Sequence, residues 1–386
     1  RRNDAFGVLV ADSILPGIYD TVYLDSNMDF SFSDEESLKI YGKELKWGKF
    51  TWESPWAGPV EGSSFVVSNV ERDGSSVKIS FDGNGHGTHV AGIIGAQGRI
   101  TGVAPGAQII AIKALGSSGE GDWDHIAKAV EYAKSQGADI INISVGNIAA
   151  SWKEQLAQVQ LMKKISRDRK TMIVLAVGNN GPGLSSAADV GGSVNVMTVG
   201  AYVSSSMWDI NYAVQVPGDS LLHDTGAGPN ADGSPAPSLV APSVVTSTVP
   251  LWDTGGYYMM DGTSMAAPFV AGATALLLQK AREENIDASA QVLREAMEQS
   301  ARSLEGYHFV EQGHGVLDVA KAWEVLKELS IEGEKEKLAV QLPKIEGYVG
   351  GTLLREEPRG NTEILVTNLS NNLQDLVVES DSKWVI

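Results

Sequence analysis

Apolar strand-like runs alternate with helical stretches through the middle of the sequence, and this alternation constrains the fold more than any other feature. The runs that read as strands are Gln108–Lys113, Asp139–Val145, Met172–Val177 and Val194–Val199. The stretches that predict helices are His86 to about Ala96, Asp124–Gln136 and the segment in which Trp152, Leu156, Val159 and Met162 share one face. Near-continuous apolar strands separated by helices indicate an α/β fold, with a parallel sheet flanked by helices on both faces.

Three short motifs place reactive side chains beside glycines. Ser264 lies between a glycine-bearing turn and an apolar helical run, and Pro268 is expected in the first turn of that helix. A serine hydroxyl becomes a useful nucleophile only with a base in reach and donors for the oxyanion that forms. His86 begins a small-residue helix, and Asn179 follows a buried strand, where parallel sheets place ligands. We interpret Ser264 as nucleophile, His86 as base and Asn179 as oxyanion donor.

These motifs resemble those of a known family. GHGTHVAG at residues 85–92, AVGNNG at 176–181 and GTSMAAP at 262–268 are similar, in this order, to the histidine, oxyanion-asparagine and serine blocks of the subtilisin-like serine proteases, or subtilases. The resemblance implies a subtilisin-like fold and peptide-bond hydrolysis through a Ser-His-Asp triad and an Asn oxyanion hole. It also implies that Ser144, Val145 and Gly146 bind an extended peptide substrate. Ser243 departs from the family pattern, which has glycine there.

Each motif also has a simpler interpretation. A serine in such a turn is usually a helix cap, and an isolated histidine usually serves packing. These simpler interpretations would have to apply to all three motifs of one chain, each of which contains glycines. We therefore favour the catalytic interpretation. His89, one turn beyond His86, is interpreted as packing, since the HExxH pattern of a zinc site is absent. An α/β-hydrolase is disfavoured because the second glycine of G-x-S-x-G is absent and His86 precedes Ser264.

The triad also needs a carboxylate, which in this family lies ahead of the histidine on a strand that runs into Asp-(Ser/Thr)-Gly. No such strand precedes His86. Asp12 is the nearest candidate, but Ile14 stands where glycine belongs. We therefore expect the triad acid upstream of Arg1, with residues 1–80 inserted between the Asp and His blocks. A fragment without the acid is expected to be nearly inactive.

Oxygen-bearing side chains alternate in the loop after the second predicted strand, a pattern by which loops wrap calcium. The candidate ligands are Asp25, Asn27, Asp29 and Glu36. Phe30 stands where an EF-hand-type loop has glycine. A solvated acidic turn is the alternative. The same region predicts strands at Phe6–Asp12 and Tyr19–Leu24, joined as a hairpin, and two further strands before residue 82.

A charged linker near Glu332–Lys337 precedes alternating runs at Gly350–Leu354, Thr362–Thr367 and Leu376–Glu379. The sequence thus divides into an insertion region at 1–80, a catalytic core at 81–329 and the start of a C-terminal β-domain at 338–386. This layout resembles the pyrolysin and tripeptidyl peptidase II branch of the family, whose members carry β-domains behind the core.

Composition narrows the partners. A formal net charge of −18 disfavours nucleic acid, and no apolar run is long enough to predict a membrane span. The absence of cysteine excludes a disulfide framework, and no oligomeric state is predicted. Family analogy alone favours an extracellular or cell-surface location. The predicted function is a serine endopeptidase acting on peptides or proteins. A tripeptidyl-type exopeptidase and a non-catalytic peptide-binding pseudoprotease remain open.

Overall fold

The structure is a computed structural model. It describes residues 6–54, 58–146, 152–166, 170–188, 196–230, 234–286, 288–332, 338–341 and 365–368. The strands are β1 Val8–Ala11, β2 Thr21–Leu24, β3 Gly48–Ser54, β4 Gly58–Val70, β5 Val77–Phe81, β6 Ile140–Ile143, β7 Met172–Ala176, β8 Val196–Val203, β9 Ser220–Leu221, β10 Leu239–Pro242, β11 Val244–Thr248, β12 Tyr257–Asp261, β13 Leu338–Gln341 and β14 Leu365–Asn368. The helices are α1 Tyr41–Glu44, α2 His86–Gly95, α3 Trp123–Ser135, α4 Trp152–Ile165, α5 Ser205–Tyr212, α6 Thr263–Glu284, α7 Ala290–Ser300, α8 Phe309–Gln312 and α9 Val319–Glu332.

The chain forms two compact units. The first contains the residues up to Gly92 together with Leu115–Gly121 and Thr246–Tyr258. In it, β1 and β2 form the predicted antiparallel hairpin, and β3, β4 and β5 form an antiparallel sheet. Apolar side chains of these strands make a core of their own, which includes Val22 and Val67, both fully buried. The N-terminal region is therefore β-rich, as predicted.

The second unit contains the rest of the chain, and its centre is a sheet with four parallel strands in the order β10-β8-β7-β6. The short strand β9 pairs antiparallel with β8. Every residue of β7 and of β8 is buried, which explains their continuous apolar sequences. The long helix α6 packs its small residues against this sheet, and α7 and α9 add to the same core. The prediction of an α/β fold with a parallel sheet and flanking helices is confirmed.

One predicted strand does not form. Residues 108–113 make no ladder with any described strand, and Ile109 and Ile110 are each about 40% exposed, at 42% and 41%. An apolar run becomes a strand only when a neighbour satisfies its backbone N–H and C=O groups. Among the described strands, β6 pairs only with β7 and forms the edge of the sheet. The sequence pattern alone could not reveal that this run pairs neither with the open edge of β6 nor with any other described strand.

The C-terminal part of the description is a short antiparallel ladder between β13 and β14. β14 overlaps the strand predicted at Thr362–Thr367, whereas the runs at Gly350–Leu354 and Leu376–Glu379 lie outside the described residues. The proposed domain boundaries stay predictions. Within the described ranges, none of the helices combines the length and the apolar character required to cross a bilayer.

Candidate active site

Ser264 lies in the first turn of α6, which starts at a glycine. Gly262 is the residue before the helix, and its φ of 117° and ψ of 173° belong to a region that is essentially restricted to glycine. Because the helix begins at Thr263, the buried Pro268 lies in the second turn. The prediction that Pro268 is in the first turn was wrong, since the backbone break at Gly262 starts the helix earlier.

Gly262 also makes room for Asn179. A Cβ atom at position 262 would lie 3.1 Å from Asn179 Nδ2 and 3.3 Å from its Oδ1. The amide side chain therefore packs directly against the Cα of the residue that opens the serine helix. The structure thus brings Asn179 to the Ser264 turn, as the motifs suggested.

Thr263 fixes the orientation of that amide. Its backbone N–H donates to Asn179 Oδ1 at 2.9 Å, and its hydroxyl donates to the same oxygen at 2.8 Å. The Thr263 hydroxyl also accepts the N–H of Gly178 at 3.2 Å. With Oδ1 occupied by two donors, the Nδ2 group is the part of the amide left to donate to a ligand. Sequence reasoning missed this role, although Thr263 stands inside the GTS motif.

A second donor comes from the helix itself. The N–H groups of the first helical turn have no intrahelical acceptor, and the Ser264 N–H is not bonded to any acceptor among the described residues. The positive end of the α6 dipole adds to its attraction for negative charge. The turn therefore offers an amide N–H and the Asn179 side chain, the donor types that an oxyanion requires.

Ser144 contacts the Ser264 turn from the end of β6. The Ser264 hydroxyl donates to the Ser144 carbonyl at 3.3 Å, and the Ser144 hydroxyl donates to the Ser264 carbonyl at 2.8 Å. Val145 and Gly146 continue the chain in a non-helical conformation, and Val145 is half-buried and Gly146 exposed. A Cβ on Gly146 would lie 2.7 Å from the Cβ of Ala188, so any residue other than glycine would require a shift at this position. Peptide binding by these three residues stays a prediction.

The departure from the family pattern at Ser243 is accommodated by hydrogen bonds. Ser243 is fully buried, and its hydroxyl donates to the Tyr202 carbonyl at 2.9 Å. Its own carbonyl accepts the N–H of Gly262 at 3.2 Å. The serine side chain therefore fits without disturbing the approach to the serine helix.

In the first unit, His86 opens α2 and follows a loop shaped by Asp82. The Asp82 carboxylate accepts the N–H groups of Asn84 and Gly85, each at 2.9 Å, and the hydroxyl of Thr88 at 2.6 Å. The Asn84 side-chain oxygen in turn accepts the His86 N–H at 3.2 Å. These bonds satisfy donors at the start of α2, as a helix cap does.

The imidazole of His86 is half-buried, and its electrostatics have two parts. Burial lowers the pKa of His86, because the charged form loses solvation, and the negative charge of Asp82 acts in the opposite direction. The net lowering favours the neutral imidazole at neutral pH. A neutral imidazole is the form that accepts a proton from a serine hydroxyl.

His89 is a structural residue. It is fully buried, and its Nε2 lies 2.9 Å from the Tyr258 carbonyl oxygen. A carbonyl only accepts, so Nε2 carries the proton. The hydroxyls of Ser247 and Thr248 donate to the carbonyls of His89 and Thr88 at 2.8 and 2.9 Å. These contacts anchor α2 at the level of its first turns.

Neither acid with a triad-like sequence acts as a partner of His86. Asp12 is exposed and accepts the Gly17 N–H at 2.7 Å in the β1–β2 connection. The letters Asp-Thr-Gly occur at residues 253–255, after the histidine block, where Asp253 caps a turn by accepting the Gly255 N–H at 2.8 Å. Among the described acids, Asp82 is the one whose charge alters the pKa of His86. An upstream triad acid stays a prediction.

Comparison with known proteins assigns the family. Residues 20–316 match the model of the subtilase family, Peptidase S8. The chain belongs to the subtilase family of serine peptidases. Over 384 aligned residues it is 30% identical to pyrolysin of Pyrococcus furiosus, and the alignment covers 85% of this chain and 27% of pyrolysin.

The chain is also similar to tripeptidyl-peptidase 2 and to a subtilisin. This subtilase is 33% identical to tripeptidyl-peptidase 2 of Oryza sativa, over 79% of this chain and 23% of the relative. It is 36% identical to Subtilisin Savinase of Lederbergia lenta, over 52% of this chain and 65% of the relative. The crystal structure of tripeptidyl peptidase 2 matches with a TM-score of 0.63 and 24% identity, over 86% of this chain and 25% of that one, which supports the fold. This subtilase spans about a quarter of the length of pyrolysin and tripeptidyl-peptidase 2.

In the predicted calcium loop, two of the four candidate ligands lie close together, since Asp25 Oδ1 and Asn27 Oδ1 accept the same Asp29 N–H. Asp25 is buried and accepts the N–H groups of Asp29 and Phe30, each at 3.1 Å, while the Asn27 amide donates to Asp34 at 3.0 Å. Phe30 has a φ of 67°, the conformation for which such loops use glycine. The searched part of the chain holds no group of three or more His, Asp or Glu that could bind a metal. Calcium binding stays a prediction, and metal analysis of the purified protein tests it.

Proposed function

We propose that this chain carries the catalytic core of a serine endopeptidase that cleaves peptide bonds through an acyl-enzyme. The observation that supports it most directly is the Ser264 turn, where a half-buried hydroxyl, an unpaired helix N–H and an oriented Asn179 amide meet. Such a constellation serves acyl transfer, in which negative charge develops on a carbonyl oxygen. Membership of a family of serine peptidases supports the same reaction.

In the proposed reaction, the Ser264 hydroxyl attacks the carbonyl carbon of the peptide while His86 accepts the hydroxyl proton. The Asn179 amide and the Ser264 N–H donate to the oxyanion. His86 then protonates the departing amine, and water repeats the sequence on the ester. We expect an aspartate upstream of Arg1 to orient His86 in the protein that carries this core.

Serine labelling tests the nucleophile. A fluorophosphonate probe added to the full-length protein should label Ser264, and S264A should abolish labelling, whereas S118A, which changes an exposed loop serine, should leave it intact. Labelling of S264A at the parent rate, or no labelling of folded parent protein, would contradict the proposal. In the second case, retained peptide binding would favour the pseudoprotease.

Replacement of either proposed catalytic residue should also strongly lower the turnover number. S264A or H86A alone should lower kcat by roughly 10⁶-fold, a magnitude measured in subtilisin, which is a family member. The double variant should lose no more than either single variant, because the groups act as a unit. Additive losses would contradict a shared mechanism.

An exopeptidase that removes tripeptides is the second candidate, favoured by the 33% identity to tripeptidyl-peptidase 2. The two activities differ in their need for a free substrate amine. We expect the endopeptidase to cleave a peptide and its N-acetylated form at similar rates. Loss of cleavage on acetylation, with release of three-residue products, would assign the exopeptidase instead.

A further inference from the structure

The helix that carries the candidate nucleophile has a gap in its hydrogen-bond ladder. Pro268 lies within α6 and has no N–H to donate. In a regular helix that N–H would bond to the carbonyl four residues earlier, which belongs to Ser264. The proline therefore removes the amide donor from the carbonyl of the nucleophilic residue itself.

The Ser144 hydroxyl occupies the place of that donor. It donates to the Ser264 carbonyl at 2.8 Å, and Ser144 is only 8% exposed. The Asn142 side-chain amide donates to the Ser144 hydroxyl oxygen at 3.0 Å, which leaves the hydroxyl hydrogen for the carbonyl. Side chains at the end of β6 thus complete the helix ladder from outside the helix.

We propose that Ser144 is a positioning residue for Ser264, and that its hydroxyl substitutes for the amide that Pro268 lacks. The inference rests on the proposed function, in which Ser264 is the nucleophile. It is separate from peptide binding, because extended pairing uses the backbone of residues 144–146, whereas this bond uses the Ser144 side chain.

Loss of this bond should disturb the chemical step. A carbonyl left without a donor in a buried turn tends to move towards another partner or water. The same turn carries the Ser264 hydroxyl and the Ser264 N–H, so a shift of the turn moves both groups. Misplacement of reacting groups by about 1 Å costs on the order of 10²-fold in rate.

A double-mutant cycle with Pro268 tests whether the Ser144 hydroxyl takes the place of the missing amide N–H. In the full-length protein, S144A should lower the rate of fluorophosphonate labelling and kcat by about ten-fold or more, with little change in KM. P268A restores a backbone N–H opposite the Ser264 carbonyl. In the P268A background, S144A should therefore cost only about two- to three-fold. Equal losses in the two backgrounds, or a loss confined to KM, would overturn the proposal.

T274V is the matched control. Thr274 is fully buried in the same helix, and its hydroxyl donates to the Val270 carbonyl at 2.8 Å, but no proline withholds an amide there. T274V should lower thermal stability and leave the labelling rate within about two-fold of the parent. If P268A fails to fold, S144A against T274V decides: similar labelling rates would overturn the proposal.

Failure of the proposed function gives a different pattern. If folded parent protein is not labelled at Ser264, the nucleophile assignment fails. The contact is then tested by thermal unfolding of the same four variants. Non-additive changes in melting temperature for S144A and P268A would support the replacement of the Pro268 amide by the Ser144 hydroxyl. Additive changes would overturn this proposal as well.

Discussion

The turn that carries Ser264 and the loop that carries His86 are held in different ways. Around Ser264, hydrogen bonds join residues 84 and 120 positions apart, as in the bonds from Thr263 to Asn179 and between Ser264 and Ser144. Around His86, the shaping bonds lie mainly within residues 82–88 and converge on one carboxylate. The nucleophile therefore depends on the completed fold, and the base depends on a local turn and its charge. Packing changes should affect the first, and charge changes the second.

The oxyanion donor gives the largest expected effect in this comparison. N179D retains an oxygen that accepts from Thr263 but removes the Nδ2 donor and adds a charge that opposes the oxyanion. We expect kcat to fall by roughly 10²–10³-fold with little change in KM. The matched control is N180D at the exposed neighbouring amide, which should keep at least half of the parent kcat. Similar losses in the two variants would argue against a role of Asn179 in the transition state.

The glycine before α6 gives an intermediate effect. G262A adds a Cβ in a backbone region restricted to glycine, at 3.1 Å from Asn179 Nδ2, and should destabilise the protein by about 1–3 kcal/mol. Chemical denaturation measures this change in the free energy of unfolding. G256A is the control, since that glycine also has a positive φ, of 73°, but no described atom within 4 Å of its Cβ position. Equal destabilisation would show that the contact with Asn179 adds nothing.

Removal of the Asp82 charge beside the proposed base, His86, should have the smallest effect on activity and the most specific effect on its pH dependence. D82N should lower the plateau of kcat/KM by roughly five-fold, equivalent to about 1 kcal/mol for a weakened set of hydrogen bonds. Asp82 raises the pKa of His86, so its neutralisation should lower that pKa and move the acid limb of kcat/KM to lower pH.

D73N is the control for that experiment. Asp73 also accepts two hydrogen bonds in a local turn, from the N–H and hydroxyl of Ser75, and it is exposed. D73N should leave the acid limb of kcat/KM at the pH of the parent protein. A shift to higher pH in D82N, or a loss of activity without any shift, would show that Asp82 acts only on loop structure.

The sequence pattern predicted the strands and helices that belong to the regular strand–helix alternation. The apolar runs of β6, β7 and β8, and the motifs that carry His86 and Asn179, needed no knowledge of distant contacts. The segment at 108–113 was misassigned because its strand formation depends on a neighbour that the pattern does not identify. The bonds made by Thr263 and Ser144 were missed for the same reason, since they join residues far apart in sequence. Pro268 was displaced by one turn because only the φ of Gly262 fixes where α6 begins.

The one-sided pairing of β6 has a practical consequence for handling this protein. Its outer row of backbone amides and carbonyls is not paired with any strand in the part of the chain that the structure covers, and the apolar segment 108–113 carries further unpaired groups. Such an edge is a template on which another copy can add a strand, and the many negative charges of the surface oppose that encounter. Self-association should therefore increase with protein concentration and with salt, which screens the repulsion.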